Sequence, residues 1–81
     1  MNYITYILKS KKDDRYYYGY TSDLEKRIIR HNTGLVRSTK SRRPLHLHYH
    51  EQFENKKQAI KRENFFKSID GYNWLKESDI I

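Results

Sequence analysis

The sequence predicts an α+β domain: a small three-stranded antiparallel sheet flanked by helices, in the order β-β-α-β-α-α. Three observations carry that reading. Two tyrosine-rich, β-prone runs lie close together across a polar turn, the pattern of an antiparallel hairpin. A helix-opening signal and a helical period follow at once. A third alternating run, placed after the single proline, leads into a longer helical pattern.

Tyr3 to Leu8 alternates and is rich in strand-forming side chains. Ser10-Lys11-Lys12-Asp13-Asp14 reads as a turn, and Arg15 to Tyr20 as the second strand. A turn centred on Lys11 and Lys12 sets Tyr6 opposite Tyr17 and Ile4 opposite Gly19. Directly opposed residues share a face, so the two phenols meet, and Gly19 leaves space beside Tyr17. Ser22-Asp23-Leu24-Glu25 has the form of a capping box, with Ser22 at the cap and Glu25 three residues on. The helix it opens runs from Asp23 to about Asn32, with Gly34 just past its end. Leu24, Ile28 and His31 fall on one stripe, and Arg27 flanks it one turn before His31.

Val36 to Arg43 is a basic loop carrying Arg37, Lys40, Arg42 and Arg43 among serine and threonine. Pro44 opens the third strand, Leu45 to Glu51. Leu45, Leu47 and Tyr49 alternate toward the core, which leaves His46, His48 and His50 together on the outer face. Asn55 caps a second helix that runs to about Ile69. Asp70-Gly71 interrupts it, and Tyr72 to Lys76 forms a short terminal helix.

The chain of 81 residues reads as one domain, 1–81, and at 36% hydrophobic its core is thin. It contains no cysteine, which excludes disulfides and thiolate metal sites. No apolar run approaches the roughly 20 residues that span a bilayer, and the start lacks a signal-peptide pattern. The expectation is a soluble cytoplasmic protein with no membrane partner. Lysine and arginine number 17 against 10 acids, a net charge of +7. Such a surface attracts polyanions.

Glu63 is the residue that points to chemistry. On a helical wheel it lies about 40° from Ala59, bracketed by Ile60 and Phe66. A carboxylate turned toward a core costs free energy unless it is paired or holds a cation. Both readings stand: a structural ion pair, or a ligand for a hard cation. Mg²⁺ takes one or two protein carboxylates and draws the rest of its shell from water and phosphate, so one acid suffices. Arg27 has the fork that binds a phosphate, and His31 can orient a phenol or relay a proton. A phenol titrates near pH 10 and needs a positive field to act as a base at neutral pH. The histidines of the third strand read either as a wet outer face or as a zinc pair.

These residues, in this order, resemble the GIY-YIG nuclease superfamily, and above all its small single-domain members. The stretches that carry the likeness are Tyr6-Ile7-Leu8, Tyr17-Tyr18-Gly19-Tyr20-Thr21, Leu24 with Arg27, His31 and Asn32, Arg42-Arg43-Pro44, and Arg62-Glu63. The first motif reads Ile4-Thr5-Tyr6, and Tyr18 stands where the second motif has isoleucine. Some branches have lysine where Tyr20 stands, and Asn73 lies close behind the glutamate. The resemblance implies catalytic roles for Tyr6, Tyr17, Arg27, His31 and Glu63, with Glu63 the ligand of Mg²⁺ or Mn²⁺. It implies a metal-dependent endonuclease acting on DNA in preference to RNA, with Tyr6 or Tyr17 as the base. Arg37, Lys40, Arg42 and Arg43 are the expected nucleic-acid contacts. Larger relatives gain target choice from attached DNA-binding domains, so a protein partner supplying specificity is a further expectation. The alternative is a non-catalytic nucleic-acid-binding module of the same fold.

Overall fold

A computed structural model describes residues 2–81. Strands β1 (Tyr3–Ser10) and β2 (Tyr16–Thr21) form the predicted antiparallel hairpin. Its register differs from the expected one by two residues: Tyr6 pairs with Gly19 and Tyr17 with Leu8. The cause is the turn. Ser10 Oγ accepts hydrogen bonds from the backbone N–H groups of Lys12 and Asp13, and Asp14 takes φ 59°. The connection is thus longer than a turn centred on Lys11 and Lys12. A two-residue slip preserves the faces, because side chains alternate with period two. Tyr6 and Tyr17 therefore remain on one face, as diagonal rather than direct neighbours.

Helix α1 (Leu24–Asn32) is capped by Asp23, whose carboxylate accepts from the Lys26 N–H at 3.1 Å. Ser22 was the expected cap. Asp23 takes that place one residue later and also sets a negative charge at the positive helix end. After α1 the basic segment contains a 3₁₀ turn, Lys40–Arg42, that periodicity did not signal. Strand β3 (Leu45–Phe53) pairs with the other edge of β1, giving the order β2-β1-β3, antiparallel throughout.

β3 carries a bulge. Ile7 pairs with Tyr49 but Leu8 pairs with Leu47, so His48 has no partner on β1. One extra residue reverses the facing of everything beyond it. Leu45 and Leu47 accordingly pack with Tyr6 and Leu8, whereas Tyr49 packs with Ile7 and Phe66 on the opposite side. The expected single core face of β3 is split in two, and His46, His48 and His50 do not share an outer face. His50 stands opposite Tyr6. His48 lies against Tyr16, the ring centroids 5.0 Å apart and the planes tilted by 56°, and is hydrogen-bonded to the Ile80 carbonyl.

Asn55 caps helix α2 (Lys56–Phe66), as its sequence predicts, by accepting from the Gln58 N–H. The helix stops at Phe66 rather than Ile69, because Ser68 caps helix α3 (Ile69–Glu77) through the Gly71 N–H at 3.0 Å. Asp70-Gly71 is thus the first turn of α3, not a break. A Cβ at Gly71 would fall 1.7 Å from the Phe65 carbonyl oxygen, so glycine there lets α3 lie against the end of α2.

Helices cover both faces of the sheet. On one side Leu24 and Ile28 of α1 pack on Tyr6, Leu8 and Leu45. On the other, Phe66 of α2 and Leu75 of α3 pack on Ile7. That is why Thr5, Tyr6, Ile7 and Leu8 are all buried despite alternating in direction. Fully burying a side chain such as Ile7, Leu8 or Leu75 contributes about 1.5–3 kcal/mol, and the thin core depends on few of them. Thr5 Oγ donates to the Ala59 carbonyl at 2.8 Å, which seats α2 directly on β1. Among the described residues no helix is long and apolar enough to cross a membrane.

Candidate active site

The site is built around the hydroxyl of Tyr6. The side chain is fully buried and lies across β2 at Gly19, where a Cβ would fall 2.5 Å from its oxygen. Helix α1 supplies two side chains, one turn apart, that meet this oxygen. Arg27 Nε donates to it at 3.2 Å, and His31 Nε2 lies 3.1 Å away. The other imidazole nitrogen, Nδ1, is 2.8 Å from Thr39 Oγ, and that hydroxyl donates to the Val36 carbonyl at 3.4 Å.

These partners fix the direction of the chain of bonds. The buried Tyr6 hydroxyl already accepts from Arg27 and, among the described residues, has no acceptor other than His31 Nε2, so it donates there. His31 Nδ1 then carries the hydrogen and donates to Thr39, whose own proton goes to Val36. Nε2 is then an acceptor, and it takes the Tyr6 proton while Arg27 fills a lone pair of the same oxygen. Burial, with the Arg27 charge second, holds His31 down to about 4. The imidazole is neutral near pH 7, as this assignment requires. Burial also raises Tyr6 above the ordinary phenol value, against the opposing hydrogen bond from Arg27. Desolvation wins because the charged form would be a phenolate without water. The bond to Tyr6 in turn raises the Arg27 guanidinium.

Tyr17 completes this wall. Its ring meets His31 edge-on at 4.8 Å and lies 6.4 Å from that of Tyr6. Unlike Tyr6, Tyr17 is only half-buried. Arg27 lines an open groove with Tyr3, Tyr20, Thr21, Ser22 and Lys56, and a second hollow beside Lys26 and Arg30. Cations of α1 and α2 therefore share one rim.

Glu63 comes from α2, on the other face of the sheet. Its Oε2 accepts from Lys67 Nζ at 2.7 Å, an i,i+4 pair in which the lysine side chain is 52% exposed and the glutamate 14%. Among the described residues Oε1 has no hydrogen-bond partner. The Glu63 charge is the smallest of the influences that raise the Tyr6 phenol, behind burial and Tyr17. A comparison with Glu51 shows what a closed acid looks like. Both Glu51 oxygens are taken, by the Arg62 fork at 2.7 and 3.2 Å and by the Tyr49 hydroxyl at 2.5 Å. An i,i+4 helix pair of this kind is worth only about 0.2–0.5 kcal/mol. No group of three or more His, Cys, Asp or Glu side chains converges among the described residues. A cation at Glu63 would complete its shell with water and phosphate, which suits Mg²⁺ or Mn²⁺ rather than zinc.

The basic loop divides by environment. Arg37, Lys40 and Arg43 are exposed. Arg42 is half-buried, donates to the Tyr16 carbonyl at 3.3 Å and pairs with Asp13 at 3.4 Å, so it clamps the hairpin. Thr39, Lys26, Arg30 and Lys56 are site neighbours that sequence reasoning passed over. Lys26 and Arg30 were findable, being one turn apart on either side of Arg27. Thr39 carries no local signal.

The sheet order, the helices on both faces and the tyrosine–arginine–histidine cluster define the class of protein. The model of the GIY-YIG catalytic domain matches residues 2–72, and the chain belongs to that family. Its similar relatives are the small proteins grouped as UPF0213. One from Staphylococcus saprophyticus is 47% identical over 72 residues, covering 88% of this chain and 87% of its own. YazA from Bacillus subtilis is 42% identical over 69 residues, covering 84% and 69%. The solution NMR structure of the UPF0213 protein BH0048 from Bacillus halodurans superimposes with a TM-score of 0.56 at 34% identity, covering 95% of this chain and 84% of that one. Membership of the family supports a nuclease-type function.

Proposed function

We propose that this chain is a divalent-metal-dependent endonuclease that hydrolyses phosphodiester bonds in DNA. The observation that carries the reading is the joining of Arg27, Tyr6 and His31 at one buried oxygen, with Arg27 facing an open groove. Arg27 is anchored through Nε, so its fork is held still while the residue faces the groove. A preset guanidinium stabilises charge that grows on a phosphate without reorganising. Glu63 would hold Mg²⁺ or Mn²⁺ through Oε1, and such an ion supplies Lewis-acid stabilisation of the leaving oxygen.

Of the two phenols, Tyr17 suits the role of base. Tyr6 is sealed from water, is raised by burial and already gives its proton to His31. Tyr17 is the half-exposed phenol of the pair. Tyr6 and His31 then act as positioning residues that hold Arg27 and the Tyr17 ring. Arg37, Lys40 and Arg43 supply phosphate contacts that place the strand without reading its sequence.

The test is nicking of supercoiled plasmid in Mg²⁺, in Mn²⁺ and in EDTA. Wild type nicks only with the metals, and Glu63→Gln loses the activity in both. Equal nicking by Glu63→Gln, or nicking in EDTA, refutes the assignment. Tight salt-sensitive binding without cleavage under either metal favours the binding module instead.

A further inference from the structure

A third concavity, lined by Phe53, Gln58, Lys61, Arg62 and Phe65, has no part in that chemistry. Its walls are flat and largely apolar. Arg62 forms one of them and is rigid: its guanidinium lies 4.7 Å from the Phe65 ring centroid and 4.5 Å from that of Trp74, and Glu51 holds it through two hydrogen bonds. That ion pair neutralises the charge and the Phe65, Phe66 and Trp74 rings surround the guanidinium, so the pocket offers the rings of Phe53 and Phe65 to stack on rather than a cation to bind an anion. Gln58 offers an amide at the rim and Lys61 an exposed ammonium. Flat π-faces, an amide and one cation match a nucleobase with its own phosphate. An aliphatic side chain of a protein partner would leave Gln58 and Lys61 without use.

The pocket also adjoins the groove that holds Arg27. Phe53 is the cross-strand partner of Tyr3, and Tyr3 lines that groove. Lys56 of the groove and Gln58 of the pocket lie in the same first turn of α2. A track of cations and aromatics therefore runs from Arg27 and Lys56 past Tyr3 to Phe53 and Lys61. We propose that this pocket is a stacking subsite for an unpaired nucleobase on the strand whose phosphate lies at Arg27. The inference rests on the nuclease reading for the strand and names the form of nucleic acid it takes: one with at least one base out of the duplex.

The experiment is binding of a fluorescein-labelled oligothymidylate to the full chain in EDTA, read by anisotropy, so that no cleavage enters. Phe53→Leu keeps an apolar side chain at the strand end but removes the π-face, and Phe53→Trp restores one. Phe53→Leu should weaken binding about tenfold and Phe53→Trp should hold it near wild type. An abasic oligomer of equal length should bind wild type more weakly and should not distinguish Phe53→Leu from wild type. Equal affinity of wild type and Phe53→Leu for oligothymidylate overturns the subsite, as does equal affinity of wild type for the two oligomers. The nuclease reading fails separately: plasmid nicking by Glu63→Gln sinks that reading while leaving these binding differences intact.

Discussion

Replacing Gly19 by alanine adds one methyl group at the point where the site is tightest. The new Cβ would stand 2.5 Å from the Tyr6 oxygen and 2.6 Å from Cζ, inside any tolerated contact. The phenol cannot swing clear, because it is fully buried and its oxygen is held by Arg27 and His31. Forcing one methylene into a packed interior costs about 1–3 kcal/mol. Disturbing the Tyr6 hydrogen bonds adds about 1 kcal/mol, for a total of about 2–4 kcal/mol. At about 4–8 °C per kcal/mol for a domain of this size, the melting midpoint should fall by about 8–32 °C. Displacing the Tyr6 oxygen also moves Arg27, and misplacement of about 1 Å in a catalytic group costs on the order of a hundredfold in rate. Thermal melting followed by circular dichroism and plasmid nicking below the lowered midpoint read the two effects separately. In Gly19→Ala/Tyr6→Leu the added cost of the alanine should shrink, since its clash partner is gone. A Gly19→Ala protein that melts and nicks like wild type would refute the placement of Tyr6.

Three further outcomes follow from the same geometry. His31 is held at about 4 in the folded chain against 6.5 when unfolded, so between those values the unfolded chain binds more protons. Stability is then complete above about pH 6.5 and declines as pH falls toward about 4; urea midpoints across that window should show the decline, and His31→Gln should flatten it. Thr39→Val removes the acceptor of the His31 Nδ1–H and should cost about 1–3 kcal/mol, with Thr39→Ser restoring it. Nitrogen-15 shifts of His31 would report the tautomer, and an unchanged tautomer ratio in Thr39→Val contradicts the proposed direction of the bonds. Arg42→Ala should lower stability by about 1 kcal/mol through the lost bond to Tyr16 and leave the salt dependence of DNA binding unchanged. Arg37→Ala should do the reverse, reducing the salt slope by about one unit.

The faces of the hairpin were legible because period-two alternation survives a slip of two residues, so Tyr6 and Tyr17 come together under either register. The register itself was not, since it depends on the backbone of Asp14 and on the Ser10 hydroxyl, which competes locally for N–H groups. Arg27 and His31 were placed by helical spacing alone. The bulge at His48 left no trace in the pattern, because one skipped residue in a strand needs only a local change of backbone. The α2–α3 junction is ambiguous in the sequence for a different reason. Ser68 is a good cap with a visible partner at Gly71, but Asp70-Gly71 is equally a breaker signal, and tertiary packing against Phe65 decided between them. Glu63 was legible as an acid out of place. That Lys67 rather than an arginine covers it depended on which side of α2 met the sheet.

The most direct test of the account is paramagnetic broadening by Mn²⁺ on nitrogen-15-labelled protein in the presence of oligothymidylate. If Glu63 is the metal ligand beside the tyrosine–arginine wall, amide signals around Glu63 and those of β2 near Gly19 broaden first, and Glu63→Gln abolishes the effect. Broadening that begins in the hairpin turn at Asp13 and Asp14, or that persists unchanged in Glu63→Gln, contradicts it.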